Sequence, residues 1–307
     1  MLTFRNLAKI THPERQYINL IEHIIKFGEK ETGRNGNVIT STGVGMRFCL
    51  KNNTLPIFTS KKMAWKTCLK ELLWFINGST NNNILNEQNV HIWDDNGTRE
   101  FLDSRKLYHL DENDLGPIYG HQWRHYNAHY NKKHGCFGDY KNKGEDQLQT
   151  IIDNLQNEST RKSRRHILTA WNPEQIDEMS LPPCHVMSQY KVNEKNELTC
   201  LLYQRSADVG LGLPFNTLSY AFLTHIIAHQ CGLKPKEFVH FIGDAHIYED
   251  HIDTLKDQME NANNNSLPEF PKIEILEKYD KIDNYKVKDF KISDYEYLDE
   301  YKMKMRV

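Results

Sequence analysis

At 307 residues the chain is long enough to bury one full core and sits near the upper size for a single compact unit. Its 39 Lys and Arg almost balance 41 Asp and Glu, which excludes the single-sign field of a dedicated nucleic-acid or membrane-surface binder, so any anion site must be local. The 6 cysteines, at 49, 68, 136, 184, 200 and 231, show neither a CxxC pair nor the density of a secreted scaffold; with no apolar run of leader or membrane-spanning length, reduced thiols and a soluble, cytoplasmic protein are expected.

The elements follow in chain order. Tyr17, Leu20, Ile21, Ile24, Ile25 and Phe27 recur at helical spacing and predict an opening helix over 12–30, closed by Gly28 and Gly33. Residues 38–50 read as β-structure. Residues 63–76 return to a helix, with Trp65, Leu69, Leu72, Leu73 and Ile76 on one side and Glu71 inside an apolar setting. From 77 to 143 the chain is rich in Asn, Gly, Asp and aromatic residues, which predicts irregular, loop-borne structure. A helix is expected over 146–155, then strands over 166–171, 186–192 and 198–204, a long apolar helix over 214–231 ending before Gly232, and one more strand around 238–241 and His246. Strands and helices intermix without βαβ alternation, and neither GxGxxG nor GxxxxGK[ST] is present. The fold class expected is α+β, one domain spanning 1–307, with 1–12 as an N-terminal extension.

Three segments carry chemistry. LPPCHV (181–186) sets Cys184 behind two prolines that fix the local backbone. Basic residues Arg164, Arg165 and Arg205, if folded nearby, would lower its pKa and make it a nucleophile; the alternative is a small buried hydrophobe. QRSAD (204–208) followed by GLGLPFN (210–216) offers Arg205, Ser206 and a helix start to a phosphate, or is an ordinary strand–turn–helix junction. GDAHIY (243–248) puts His246 and Tyr248 on one strand face, where they can hydrogen-bond a sugar hydroxyl or simply pack. His121, His125 and His129 recur every four residues, but Gly120, Asn127, Asn131 and Gly135 argue against a stable helix there, and no metal site is expected.

Together with KELLWFINGSTN (70–81), IWDDNG (92–97) and DLGPIYGHQWR (114–124), these motifs resemble, in order and spacing, the family of thymidylate synthases and deoxycytidylate hydroxymethylases, from about Pro13 to Val307. The resemblance implies a large twisted mixed sheet with flanking helices, packed face to face with its copy across a homodimer interface. It implies reductive methylation of dUMP to dTMP, with 5,10-methylenetetrahydrofolate as carbon donor and hydride source, leaving dihydrofolate. Catalytic roles fall on Cys184 (adding to uracil C6), Glu71, Tyr119, Asn216, Arg165 and Asp208. Arg34, Arg205, Ser206, His185, Gln204, Asn216, His246 and Tyr248 would hold dUMP, with Arg164 and Arg165 reaching in from the partner subunit. Lys61, Trp74, Ile92, Trp93, Asn96, Asp208, Gly212, Phe215 and terminal Val307 would meet the folate. A hydroxymethylase of dCMP would favour Asp where this chain has Asn216, because an amide pairs with uracil N3–H and O4. A silent nucleotide binder is disfavoured by the intact Cys184, Glu71, Asn216 and Tyr119. RNA binding is expected to be secondary at most, and no room is left for a fused dihydrofolate reductase.

The chain departs from the family pattern in three places. The loop at Arg34 reads RNGN and is one residue shorter. Asp250 replaces the usual Asn. In the tail over 297–307, expected to close over the site, YLDE replaces a proline-containing segment and Arg306 stands where Ala is usual.

Overall fold

The computed structural model describes residues 12–130 and 143–306, so all of the 1–12 extension but His12, residues 131–142 with Asn131 and Gly135, and the terminal Val307 lie outside the described residues. Helix α1 (Arg15–Phe27) buries Tyr17, Leu20, Ile21 and Ile24 on one stripe, as its periodicity requires. The carboxylate of Glu14, just ahead of it, is buried and accepts the N–H groups of Thr59 and Ser60 at 2.6 and 2.9 Å. The helix is shorter than the sequence suggests. A Cβ on Gly28 would lie 2.6 Å from the Ile24 carbonyl, and the chain turns there into strand β1 (Glu29–Gly33), so Glu29 and Lys30 are strand rather than helix.

β1 pairs antiparallel with β2 (Gly36–Cys49) through a tight turn at Arg34 and Asn35. Helix α2 (Trp65–Ile76) follows with Leu69, Leu72 and Ile76 fully buried. The region expected to be irregular holds short helices: α3 (Asn83–Asn86), α4 (Asp94–Gly97), α5 (Arg99–Ser104) and α6 (Tyr119–His125). α6 overturns the argument from glycine against a helix at the His-rich stretch. Gly120 sits inside it because the helix presses on Gly78 and Ser79, where a Cβ would meet the Ser79 carbonyl at 2.6 Å.

Helix α7 (Gln147–Gln156) leads to strands β3 (Ile167–Thr169), β4 (His185–Val192) and β5 (Glu197–Asp208), then to α8 (Gly212–Cys231), buried nearly all round and ended by Gly232 at φ +67°. Strand β6 (Lys234–Tyr248) spans both 238–241 and His246, as expected, and begins four residues earlier. Gly243 interrupts the pattern for a packing reason: a Cβ there would stand 2.9 Å from the Arg205 carbonyl. Helix α9 (Ile252–Asn264) and the hairpin β7 (Lys272–Ile275) with β8 (Phe290–Ser293) have no counterpart in the sequence reading. α9 is polar, with Leu255, Gln258 and Ala262 alone buried, and it leans on α1.

The result is a mixed six-stranded sheet, ordered β1-β2-β6-β5-β4-β3, with flanking helices; β5 and β6 are its parallel pair, joined by α8. That register decides the site. It sets Ser206 beside Asp244 and Asp208 beside His246, while the β4–β5 register sets His185 beside Gln204. The opposite face of the sheet carries a row of exposed side chains that includes Met187 at 37%, Tyr203 at 44% and Phe241 at 38%, on directly paired positions of β4, β5 and β6. No helix among the described residues is long and apolar enough to cross a membrane.

Candidate active site

Cys184 is held at the mouth of β4 by the arginine that follows Gln204. The Arg205 side chain donates from Nε to the Pro183 carbonyl at 2.8 Å and from an Nη to the Pro182 carbonyl at 3.0 Å, and its backbone N–H donates to the Cys184 carbonyl at 2.9 Å. The guanidinium also lies 5.8 Å from the Trp171 ring centre. The proline pair therefore presents two carbonyls that one arginine can fasten. The Cys184 N–H donates to the Tyr119 hydroxyl oxygen at 2.7 Å, tying the thiol loop to the first residue of α6.

Burial pushes the Cys184 thiol up, opposed by the charges of Arg205 and Arg34. Arg164 and Arg165, expected to reach in from the partner subunit, stand exposed in this chain just before β3, where the Arg164 carbonyl accepts from Gln189.

Beside the thiol runs a directional chain of side chains. Gln204 donates from Nε2 to the Ser206 carbonyl at 2.9 Å, and because that oxygen can only accept, the Gln204 amide has one sense. Its Nε2 also donates to Asn216 Oδ1 at 2.7 Å, and Asn216 Nδ2 donates to His185 Nε2 at 2.7 Å. On the other side Gln204 Oε1 accepts from His240 Nε2 at 2.9 Å, and the Thr217 hydroxyl at 3.3 Å from His240 Nδ1 completes the chain. Burial, helped at His185 by the charge of Arg205, lowers both His185 and His240 to about 3, so both rings are neutral. His185 Nδ1 is left buried with no partner, as is Asn96 Nδ2 on α4. Two orphaned polar atoms on the walls fit a site that receives a polar ligand.

Glu71 projects from α2 into an aromatic wall. Trp93 donates from Nε1 to its carboxylate at 2.8 Å, yet burial dominates and raises the Glu71 pKa to about 7. The Trp74 and Trp93 rings lie 6.3 Å apart, Trp93 lies 6.3 Å from Tyr119, and Tyr119 lies 4.7 Å from His185, so the wall connects Glu71 to the thiol. Ile92 packs partly buried against the same core, and Gly212 and Phe215 open α8 just before Asn216.

At the ends of β5 and β6, Arg34 lies exposed in its turn, close enough for its charge to act on Tyr248 and Cys184. His246 Nδ1 lies 2.8 Å from Asp244 Oδ1, the Thr40 hydroxyl donates to Asp244 Oδ2 at 2.6 Å, and the His246 and Tyr248 rings meet edge to face at 5.3 Å. Ser206 shares this end of the sheet.

Asp208 accepts the Gly210 N–H at 2.8 Å and lies 3.7 Å from His251 Nδ1. Lys61, expected to meet the folate, sits behind the Gly210 loop. It is 4% exposed, its ammonium donates to the Gly210 carbonyl, and burial pulls its pKa down to about 8 against the attraction of Asp208 and Glu14. Val307 lies outside the described residues.

The thiol, its arginine, the amide chain and the half-buried Glu71 are thus linked through Tyr119, Trp93 and His185, with the His246–Tyr248 pair at the adjoining strand ends. A thymidylate synthase family model matches residues 15–307. The chain belongs to the thymidylate synthase family. Human thymidylate synthase is 46% identical over 297 residues, covering 96% of this chain and 91% of that protein. The bifunctional dihydrofolate reductase–thymidylate synthase of Plasmodium chabaudi is 46% identical over 96% of this chain and 49% of its own length. A probable thymidylate synthase of Schizosaccharomyces pombe is 47% identical over 96% of this chain and 47% of its own. The chain thus spans about half the length of several curated relatives it matches.

Three contributors escaped the motif reading: His240, Thr40 and His251. His240 lies opposite Leu202 and Thr40 opposite His246 only once the strands are in register, and His251 meets Asp208 from the turn after β6. Among the described residues no cluster of three or more His, Cys, Asp or Glu could hold a metal ion.

Proposed function

We propose that the chain methylates dUMP to dTMP with 5,10-methylenetetrahydrofolate as carbon and hydride donor, through a covalent bond from Cys184 to uracil C6. The observation that carries this reading is the fixed sense of the Asn216 amide beside Cys184. Each of its atoms keeps one hydrogen-bonding capacity free, Oδ1 to accept uracil N3–H and Nδ2 to donate to O4.

Uracil C5 is a weak nucleophile. Addition of the Cys184 thiolate to C6 pushes electrons to O4 and makes C5 nucleophilic, and Asn216 stabilises the charge that forms there. Because burial disfavours the thiolate in the single chain, substrate and partner must tip the balance. Arg205 and Arg34 already act on it, and the exposed Arg164 and Arg165 are free to enter a neighbouring subunit's site. The uncovered apolar row at Met187, Tyr203 and Phe241 supports a homodimer packed sheet to sheet. Arg34, Arg205 and Ser206 bind the 5′-phosphate, and His246 with Tyr248 the sugar hydroxyl. Glu71, poised between its two protonation states near neutral pH, moves protons at O4 and the folate. Tyr119, a neutral phenol, assists removal of the C5 proton. Trp74, Ile92, Trp93, Asn96, Asp208, Gly212 and Phe215 line the folate side, and Lys61 acts through the Gly210 loop it supports.

Purified protein given methylenetetrahydrofolate with dUMP or dCMP, under reducing conditions, should form dTMP and dihydrofolate from dUMP alone. Turnover of dCMP to its hydroxymethyl product, or no turnover by folded protein, would reject the reading.

A further inference from the structure

The two substitutions that set this chain apart at Asp250 and Arg306 touch one another. The Arg306 guanidinium forms an ion pair with Asp250, and it also lies over the Tyr248 ring at 5.9 Å from the centroid. Asp250 lies in the turn Glu249–His251 that follows β6, so the pair ties the last described residue of the chain to the end of the strand that carries His246 and Tyr248.

The rest of the tail is fastened along the same line. The Leu298 N–H donates to the Thr59 carbonyl and the Asp299 carbonyl accepts the Lys62 N–H, both at 2.8 Å. Asn261 donates to the Tyr301 hydroxyl at 3.0 Å, and His251 Nε2 to the Lys304 carbonyl at 2.8 Å. The Met303 sulfur packs so close to Gly210 that a Cβ there would come within 3.0 Å of it. The tail is therefore laid past Gly210, Asp208 and Tyr248. It has no helix or strand of its own beyond β8 to hold it, and its outermost fastening is the ion pair. Asn35, Asn37, Tyr248, Asp250 and Arg306 line a cavity of about 220 Å³ between the tail and the Arg34 turn.

We propose that Asp250 and Arg306 form a latch that holds the tail across the mouth of the site, positioning it over Tyr248. An Asn and an Ala at these positions could not make this contact. They would leave the tail's end to the backbone bond at His251. The pair is partly exposed, at 40% and 32%, so each member is worth a modest factor and is sensitive to salt. As far as it concerns catalysis the inference rests on the function proposed above; as a statement about the tail it does not.

The test is a double-mutant cycle in the full-length chain with Asp250→Ala, Arg306→Ala and both together, read by hydrogen–deuterium exchange of residues 298–306 without ligand. Each single variant should exchange roughly two- to five-fold faster there, and the double variant no faster than the singles. High salt should speed the unmodified chain toward the variants. Multiplying effects in the double variant, or unchanged exchange in both singles, would overturn the latch. In assays the same variants should raise KM for methylenetetrahydrofolate by a similar factor, with kcat and the Cys184 adduct unchanged. Loss of kcat at unchanged KM would show a structural role instead. If no variant and no unmodified protein makes dTMP, the proposed function fails while the exchange data still decide the latch.

Discussion

The floor of the site and the tail above it are held by opposite means. The floor is a chain of neutral side chains, Thr217, His240, Gln204 and His185 buried and Asn216 half-buried, each carried by a strand or helix and each bond direction dictated by its neighbour. The tail is a segment without regular structure, held by backbone bonds, one packed methionine and exposed charges. Buried amides in a low-dielectric setting cannot reorient without leaving a polar group unpaired, whereas exposed ion pairs exchange with water at little cost. Rigidity is thus spent where a base must be read and withheld where substrates must pass.

The largest expected effect falls on the floor. Cys184→Ser should lower kcat by about 10⁴-fold or more and abolish the covalent adduct with 5-fluoro-dUMP seen by mass spectrometry. An undiminished adduct would remove Cys184 from the mechanism and the floor from the comparison.

Glu71 comes next. Its folded pKa, raised to about 7, means that the folded chain holds this proton more tightly than the unfolded one. Its contribution to stability is therefore complete below the ordinary carboxylate range and is lost as pH rises through about 7. Glu71→Gln should lower kcat by roughly 10²-fold or more and flatten the part of the pH–rate profile near neutrality. A profile that keeps its shape would assign that ionisation elsewhere.

His240 tests whether the floor's rigidity matters. His240→Ala leaves Gln204 Oε1 without its donor, so the chain should lose roughly 1–3 kcal/mol in denaturant unfolding, and discrimination between dUMP and dCMP should fall about ten-fold. His240→Gln, which can donate to Gln204, should recover part of the discrimination. Equal discrimination in all three would mean that Ser206 alone orients the amides. The latch variants belong at the small end of this scale, and a tail effect as large as any of these would erase the contrast between floor and tail.

Much of this molecule is legible without coordinates. Helical spacing locates α1, α2 and α7 and alternation locates most of the sheet, because both report burial on one face of a local element, while α8 shows as a continuous apolar run because it is buried nearly all round. Cys184 behind its prolines, Arg205 and the His246–Tyr248 pair stand out as motifs because their chemistry sits in adjacent residues. The structure alone decides what depends on partners distant in the chain. α6 forms despite Gly120, since the glycine is needed against Ser79. Lys61 is turned inward by the Gly210 carbonyl. His240 gains its part from a strand register, and Asp250 and Arg306, unexplained when read singly, answer one another across 56 positions. Local patterns record which residues must leave water; only the assembled sheet determines which buried polar groups find each other.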